Sequence, residues 1–202
     1  MRYLMTQSLL SSWSYAMKEN PYEDMTSEGD KYAEFMQVLR REPTPTNEAM
    51  QNGIDFENLV TKVLRGDADS GHKWYEAAAD VAKRIKGAYL QVPAQIPVTV
   101  ADIDFLIYGR LDALRAGTIF DTKFSTKYEA GKYFDSMQHP TYFEIVPGAD
   151  TFVYIISNGT NVWTEPYYRE TTRSILDEIE SFVGWLNLCG HADLYKEKWV
   201  TK

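Results

Sequence analysis

Residues 108–123 read Y-G-R-L-D-A-L-R-A-G-T-I-F-D-T-K, a pattern that predicts two strands joined by a turn at Ala116-Gly117. In the first strand every second residue is apolar, so Asp112 leaves the apolar face. In the second strand Asp121 and Lys123 are two residues apart, so their side chains share a face. If the two strands pair as a hairpin, Asp112 and Asp121 converge.

Two carboxylates and an amine at adjacent strand ends form an oxygen-rich site suited to Mg²⁺ or Mn²⁺. An Asp-x-Lys pair by itself is usually a solvated surface ion pair. The setting favours the metal site, because Asp121 follows an apolar triplet and Asp112 lies nine residues earlier on the preceding strand. Helices carrying further polar residues are predicted on either side.

The upstream helix is predicted to begin at Asn52-Gly53 and to read G-I-D-F-E-N-L-V-T-K-V-L, with Glu57 on the border of its apolar face. Downstream, residues 127–146 read as one helix with a break near Pro140. Gln138 and Tyr142 are four residues apart on it and face the same way. Taken alone, Glu57 and Gln138 are typical of solvated positions at the flank of a helix, and Tyr142 is typical of a core aromatic residue.

Together these motifs resemble the PD-(D/E)XK nuclease superfamily, in particular its RecB-type and phage-exonuclease branches. The resemblance covers roughly residues 53–157 and rests on G-x-x-F-E, the Asp112 strand, D-x-K and Q-x-x-x-Y in that order. Two departures are Leu111 in place of a proline before Asp112, and Glu57 where other branches carry histidine.

The resemblance implies an α/β fold with a restriction-endonuclease-like core, α-β-β-β-α-β, whose mixed central sheet is flanked by helices. One domain would span residues 1–202, with N-terminal helices, a C-terminal hairpin and a last helix packed on the core. The implied activity is that of a metal-dependent DNA exonuclease that leaves 5′-phosphates, in phage or bacterial recombination or repair.

The same resemblance assigns roles to individual residues. Mg²⁺ or Mn²⁺ would be held by the carboxylates of Asp112 and Asp121 and by the main-chain carbonyl of Thr122. The Glu57 carboxylate would complete the set of ligands. Lys123 would orient or deprotonate the attacking water, a role that an amine takes if burial and the metal lower its pKa. Gln138 and Tyr142 would orient the lysine and hold the substrate backbone. Independently of the resemblance, the charge of Lys127 and Lys132 on the same predicted segment suits contact with phosphates, although a solvated face is about as consistent with them.

Composition sets limits on the class of protein. The 202 residues, 44% of them hydrophobic, suffice for one sizeable core. The net charge of −8 argues against passive coating of nucleic acid, so we expect contact with DNA to be local and helped by metal.

The single cysteine, Cys189, excludes an intramolecular disulfide, a Cys-ligated zinc site and an Fe–S cluster, and favours the cytoplasm. No apolar run reaches membrane-spanning length, so no membrane partner is expected.

The sparse positive charge and the lack of a basic recognition helix favour an enzyme that works from a DNA end, retained by threading or by a closed homo-oligomer. Two other functions stay open: a catalytically silent binding or inhibitory module on the same fold, and a metal-dependent nucleotide phosphohydrolase. Strand preference, polarity and the choice between DNA and RNA are also open.

The remaining elements are predicted from periodicity and turn residues. They comprise helices at 6–19, 31–40, 74–86 and 170–188, strands at 89–100, 150–157 and 160–168, and a peripheral tail from His191.

Overall fold

A computed structural model describes residues 1–18 and 28–201. Its elements are β1 (Arg2–Thr6), α1 (Gln7–Met17), α2 (Glu28–Leu39), α3 (Glu48–Arg65), α4 (Tyr75–Arg84), β2 (Tyr89–Val100), β3 (Ile103–Arg115), β4 (Thr118–Phe124), α5 (Gln138–Ile145), β5 (Thr151–Ser157), β6 (Val162–Tyr168), a 3₁₀ turn (Arg169–Thr171), α6 (Ile175–Leu188) and α7 (Ala192–Lys198). The predicted α/β architecture, a mixed sheet flanked by helices, is confirmed.

The long strand β3 organises the six-stranded sheet. β2 lies antiparallel along one edge of β3, over residues 103–114. The other edge is shared, with β1 parallel to residues 104–108 and β4 antiparallel to residues 113–115. β5 then pairs parallel to β4, and β6 antiparallel to β5. Residues 109–112 of β3 therefore lack a strand partner on the edge where β1 and β4 separate.

The predicted hairpin between β3 and β4 is present. Its turn residues Ala116 and Gly117 have φ of 47° and 80°, the left-handed pair that a two-residue hairpin turn requires. A similar turn at Ala101 and Asp102, with φ of 48° and 60°, joins β2 to β3. β2 runs through both of its prolines as an edge strand, which is where proline is tolerated in a sheet.

Hydrophobic layers cover both faces of the sheet. The larger layer joins the sheet to α1, α2, α5, α6 and α7, with buried members that include Leu9, Phe35, Phe105, Phe152, Phe182 and Tyr195. The smaller layer joins α3 and α4 to the other face through residues such as Phe56, Val60, Ala78, Phe120 and Ile155. None of the helices in the described ranges combines the length and apolar character needed to cross a bilayer.

The predicted helix over residues 127–146 is wrong in its first half. Residues 125–137 form turns, with Gly131 at φ 83°, and the helix begins only at Gln138. Pro140 lies in the first turn of α5, where its missing N–H costs no helical hydrogen bond. The proline therefore belongs to a helix start and not to a break. Lys127 and Lys132 consequently lie on a loop.

Two helix starts differ from the prediction. α3 begins at Glu48, because the Asn47 side chain accepts the Met50 N–H and caps it, and Gly53 lies inside the helix. The last predicted helix begins at Ile175 behind the Ser174 cap, and not at residue 170.

The chain ends were also predicted incorrectly. Residues 2–6 form the unpredicted strand β1, and the tail is not peripheral. Tyr195 and Trp199 are buried, and the Trp199 indole N–H donates to the Leu39 carbonyl at 2.8 Å. The tail thus closes the larger hydrophobic layer.

Candidate active site

Asp112 lies where the pairing of β3 is interrupted on both edges. On the β2 side the register runs from Leu90 opposite Ala113 to Val92 opposite Leu111, without a pair at Asp112. On the β4 side the last pair is Ala113 with Phe120. The Asp112 carboxylate instead accepts the Thr122 N–H at 2.9 Å. A side chain therefore replaces a main-chain bond at the point where β4 leaves β3.

Asp121 is the most buried member of the site, with 2% of its surface exposed. Its Oδ2 atom forms an ion pair with Lys123 Nζ at 2.8 Å, and its Oδ1 atom accepts the Gln138 side-chain amide. Within the described residues Oδ2 has no hydrogen-bond partner besides this ammonium. Asp121 Oδ2 could therefore serve as a ligand only if the Lys123 ammonium shifts.

Glu57 reaches the site from α3, on the opposite side of the sheet from α5. Its Oε1 atom accepts the side-chain amide of Gln91, at 2.5 Å. Burial raises its pKa and the negative charge of Asp121 raises it further, against the Gln91 hydrogen bond and the cations Lys123 and Arg110. Glu57 therefore contacts β2 at Gln91, the residue that lies opposite Asp112 in the β2–β3 register.

The carboxyl groups carry more negative charge than the site compensates. Burial raises the pKa of Asp112 to about 8, helped by the charges of Asp121 and then Glu57, and opposed by the Thr122 N–H and Lys123. Burial alone would lower the pKa of Lys123, but Asp121 and Asp112 outweigh it and raise that pKa above its usual value. Three carboxyl groups thus share the influence of Lys123 and, at Glu57, of Arg110, and this excess of acid groups favours the binding of a cation.

The residues fit a divalent cation. Glu57, Asp112 and Asp121 supply the hard oxygen ligands that Mg²⁺ and Mn²⁺ prefer, and the buried Asp121 Oδ2 has the Lys123 ammonium as its one partner in the described part of the chain. In the described part of the chain no three His, Cys, Asp or Glu side chains already stand in coordinating geometry. The Lys123 ammonium occupies the side of Asp121 that a cation would approach. The Thr122 N–H donates to Asp112, and the role of the Thr122 carbonyl as a metal ligand stays a prediction.

Tyr142 packs over β3 where that strand is unpaired. Its hydroxyl donates to the Arg110 carbonyl at 3.0 Å. A Cβ atom at Gly109 would come within 2.4 Å of the Tyr142 ring, so the close approach requires glycine there. Burial, and then the charge of Asp121, raises the pKa of Tyr142 to about 12. Gln138 therefore contacts Asp121, the partner of Lys123, while Tyr142 packs against β3 and interacts electrostatically with Lys123.

Lys127 and Lys132 lie on the loop after β4, two and seven residues beyond Ser125. Lys132 Nζ donates to Ser125 Oγ at 2.8 Å and to the Lys127 carbonyl at 3.2 Å. The same loop is tied down by buried Glu165 of β6, which accepts the Tyr128 hydroxyl at 2.7 Å and the main-chain N–H groups of residues 131 and 133. The lysines thus stand on an anchored loop, and their contact with phosphates stays a prediction.

Sequence reasoning missed a polar row that extends the site across the sheet. Asp121 pairs in register with Tyr154, and Tyr154 pairs with Glu165. Tyr133 stacks on Tyr154 with ring centroids 4.4 Å apart. Gln91 was missed as well. Only tertiary pairing reveals these partners, because none belongs to a local motif.

The chain matches no known protein-family profile and no curated protein. Among solved structures it resembles the crystal structure of SSO0001, with a TM-score of 0.53 and 14% sequence identity over 93% of this chain and 78% of that one. A weaker likeness is to Rai1 of Scheffersomyces stipitis, with a TM-score of 0.39 and 12% identity over 93% of this chain and 61% of that one. The first likeness supports the α/β fold alone.

Proposed function

We propose that this chain is a metal-dependent DNA exonuclease of the PD-(D/E)XK type, leaving 5′-phosphates. The observation that carries the proposal is the convergence of Glu57, Asp112, Asp121 and Lys123, which come from α3, β3 and β4. A carboxylate cluster beside a lysine has the charges needed for hydrolysis of a phosphodiester.

The element order supports the same proposal. From the Glu57 helix onward the chain runs α3, α4, β2, β3, β4, α5 and β5, which follows the expected order α-β-β-β-α-β with one additional helix, α4, before β2. Asp121 and Lys123 of the D-x-K motif share one face of β4, as that core requires. Helix α5, which carries the Q-x-x-x-Y motif, contacts Asp121 through Gln138.

The residues then divide the chemistry among themselves. A divalent cation bound by Asp112, Asp121 and Glu57 would supply positive charge for the phosphoryl oxygens and the leaving oxygen. Lys123, which pairs with Asp121, would orient or deprotonate the attacking water and offset developing negative charge. Gln138 holds Asp121 for ligation.

The deciding experiment incubates the purified protein with Mg²⁺ or Mn²⁺ and end-labelled linear single- and double-stranded DNA, with a mononucleotide triphosphate as a parallel substrate. We expect metal-dependent release of 5′-phosphorylated products from DNA and no reaction with the mononucleotide. Hydrolysis of the mononucleotide alone would assign a phosphohydrolase instead. Binding to DNA or protein without cleavage of either substrate would assign a silent binding module.

A further inference from the structure

Gln91 has a backbone conformation that is unusual inside a strand. Its φ is 52°, in the left-handed region that non-glycine residues rarely adopt, although it is the third residue of the twelve-residue strand β2. Such a conformation costs free energy and persists only where the surroundings impose it. Glycine would avoid the cost at this position, so the glutamine side chain is expected to contribute something that glycine lacks.

The position of Gln91 in the sheet is equally specific. The neighbouring pairs are Leu90 with Ala113 and Val92 with Leu111, which places Gln91 directly opposite Asp112. This is the single unpaired step along the described β2–β3 ladder, and the register is the same before and after it. The local departure from strand geometry therefore coincides with the interrupted pairing of Asp112 and is not a shift of the whole strand.

The side chain of Gln91 extends from this point to α3. Its Nε2 atom donates to Glu57 Oε1 across 34 residues of sequence. An amide that donates to one oxygen of a carboxylate leaves the other oxygen for a second partner.

We propose that Gln91 is a positioning residue, which holds the Glu57 carboxylate beside Asp112 so that both serve one divalent cation. The left-handed backbone aims the amide at α3, and it also opens the β2–β3 ladder at Asp112. This inference rests on the proposed metal-dependent function, and it assigns to β2 a role that the family resemblance does not supply.

Three substitutions separate the parts played by the amide and the backbone. Gln91→Met keeps the length of the side chain and removes the donor, Gln91→Ala removes the side chain, and Gln91→Gly also relieves the left-handed strain. Gln95→Ala is the matched control, because Gln95 is an exposed glutamine on the same strand. Mn²⁺ affinity is measured by calorimetry on the full chain, and thermal unfolding is measured without metal.

We expect Gln91→Met, Gln91→Ala and Gln91→Gly each to bind Mn²⁺ about tenfold more weakly, as is typical when a partner of a metal ligand is lost. The glycine variant should unfold about 2–4 °C above the alanine variant, because strain is relieved. The control should bind Mn²⁺ like the wild type. A purely structural role for Gln91 predicts changed unfolding temperatures with unchanged Mn²⁺ affinity.

If the wild type binds Mn²⁺ and cleaves DNA, and both Gln91→Met and Gln91→Ala bind Mn²⁺ as tightly as the wild type, the inference about Gln91 is wrong but the proposed function stands. A wild-type protein that neither binds Mn²⁺ nor cleaves DNA would overturn the inference together with the proposed function.

Discussion

The Asp112 carboxylate accepts the Thr122 main-chain N–H at 2.9 Å, so that a candidate metal ligand on β3 also joins β3 to β4. This bond fixes the position of one carboxylate oxygen through the backbone of the neighbouring strand. Both neighbours of Thr122 in the sequence, Asp121 and Lys123, also belong to the site. Sheet geometry and site geometry are therefore coupled at this position.

Alanine at Asp112, Asp121 or Lys123 should each reduce DNA hydrolysis about a thousandfold. Removal of a hard metal ligand, or of the ammonium beside the attacking water, costs several kcal/mol of transition-state stabilisation. The measurement is the cleavage rate of labelled linear DNA in saturating Mg²⁺, with Asp67→Ala, an exposed residue, as the control. Near-normal cleavage by Asp121→Ala would contradict the whole assignment.

Glu57→Ala and Gln138→Ala should reduce the same rate less, by about ten- to a hundredfold. Under the proposed function Glu57 would complete the ligand set, and Gln138 would act through its hydrogen bond to Asp121. Gln138→Glu is informative beside them, because it replaces the donor to Asp121 with a carboxyl group. A loss in Gln138→Glu at least as large as in Gln138→Ala supports the positioning role, whereas full activity in both variants argues against it.

Asp112→Asn should stabilise the metal-free protein at pH 8. The pKa of Asp112 is about 8 in the folded chain, against an ordinary value of 3.8. Between those values the folded state binds more protons than the unfolded state. The free energy of unfolding therefore falls as pH rises from about 4 to 8, because the buried Asp112 must lose its proton. Thermal unfolding without metal should show a melting temperature several degrees above the wild type at pH 8, and a smaller gain at pH 4. Mg²⁺ should stabilise the wild type more than the variant.

The convergence of Asp112, Asp121 and Lys123 was predictable because each lies on a strand with clear period-2 alternation around a Gly-containing turn. Glu57 and Gln138 were placed by helical periodicity and by the family resemblance. Gln91 was not predictable, since its role depends on a backbone conformation and a partner 34 residues away that no local pattern encodes. The interrupted pairing of Asp112 was hidden for the same reason.

Errors in the fold arose where local signals conflict with tertiary packing. Residues 127–137 have helix-compatible composition, but Glu165 binds their main-chain N–H groups and holds them as turns. The tail after Cys189 is short and polar in sequence, yet Tyr195 and Trp199 find buried positions against β1 and α2. A five-residue strand such as β1 offers too few alternations to be distinguished from a helix start.

Acid should destabilise the fold through His139. The imidazole is 4% exposed and stacks on Tyr167, and burial lowers its pKa to about 4 from 6.5. Because the unfolded chain takes up the proton first, the stabilising contribution is complete above pH 6.5 and is lost as pH falls toward 4. The loss amounts to about 3 kcal/mol. Chemical denaturation at a series of pH values should show this slope, and His139→Phe should flatten it.

Glu165→Ala should loosen the loop that carries Lys127 and Lys132. The carboxylate accepts hydrogen bonds from two tyrosine hydroxyls and two main-chain N–H groups, so its removal should cost about 3 kcal/mol of stability. Trypsin should then cut after Lys127 and Lys132 sooner than elsewhere in the chain. Glu165→Gln, which keeps an acceptor, should be cut more slowly than Glu165→Ala. Equal protection of the alanine variant and the wild type would show that the loop is held by other contacts.

Degradation should require a DNA end. With a net charge of −8, a single chain has too little positive charge to hold duplex DNA by phosphate contacts alone. The lysines of the anchored loop, Lys127 and Lys132, offer a local contact beside β4 and no extended track. Retention on the strand would then depend on threading or on a closed oligomer.

The test compares covalently closed circular DNA with the same molecule linearised, at equal mass and in Mg²⁺. We expect loss of the linear form and an intact circle, because a threaded strand must enter from an end. Lys127→Ala with Lys132→Ala should weaken binding of linear DNA and reduce its salt dependence, since fewer counterions are released. Discrete cuts in the closed circle would identify an endonuclease, and the retention mechanism would then have to act without threading.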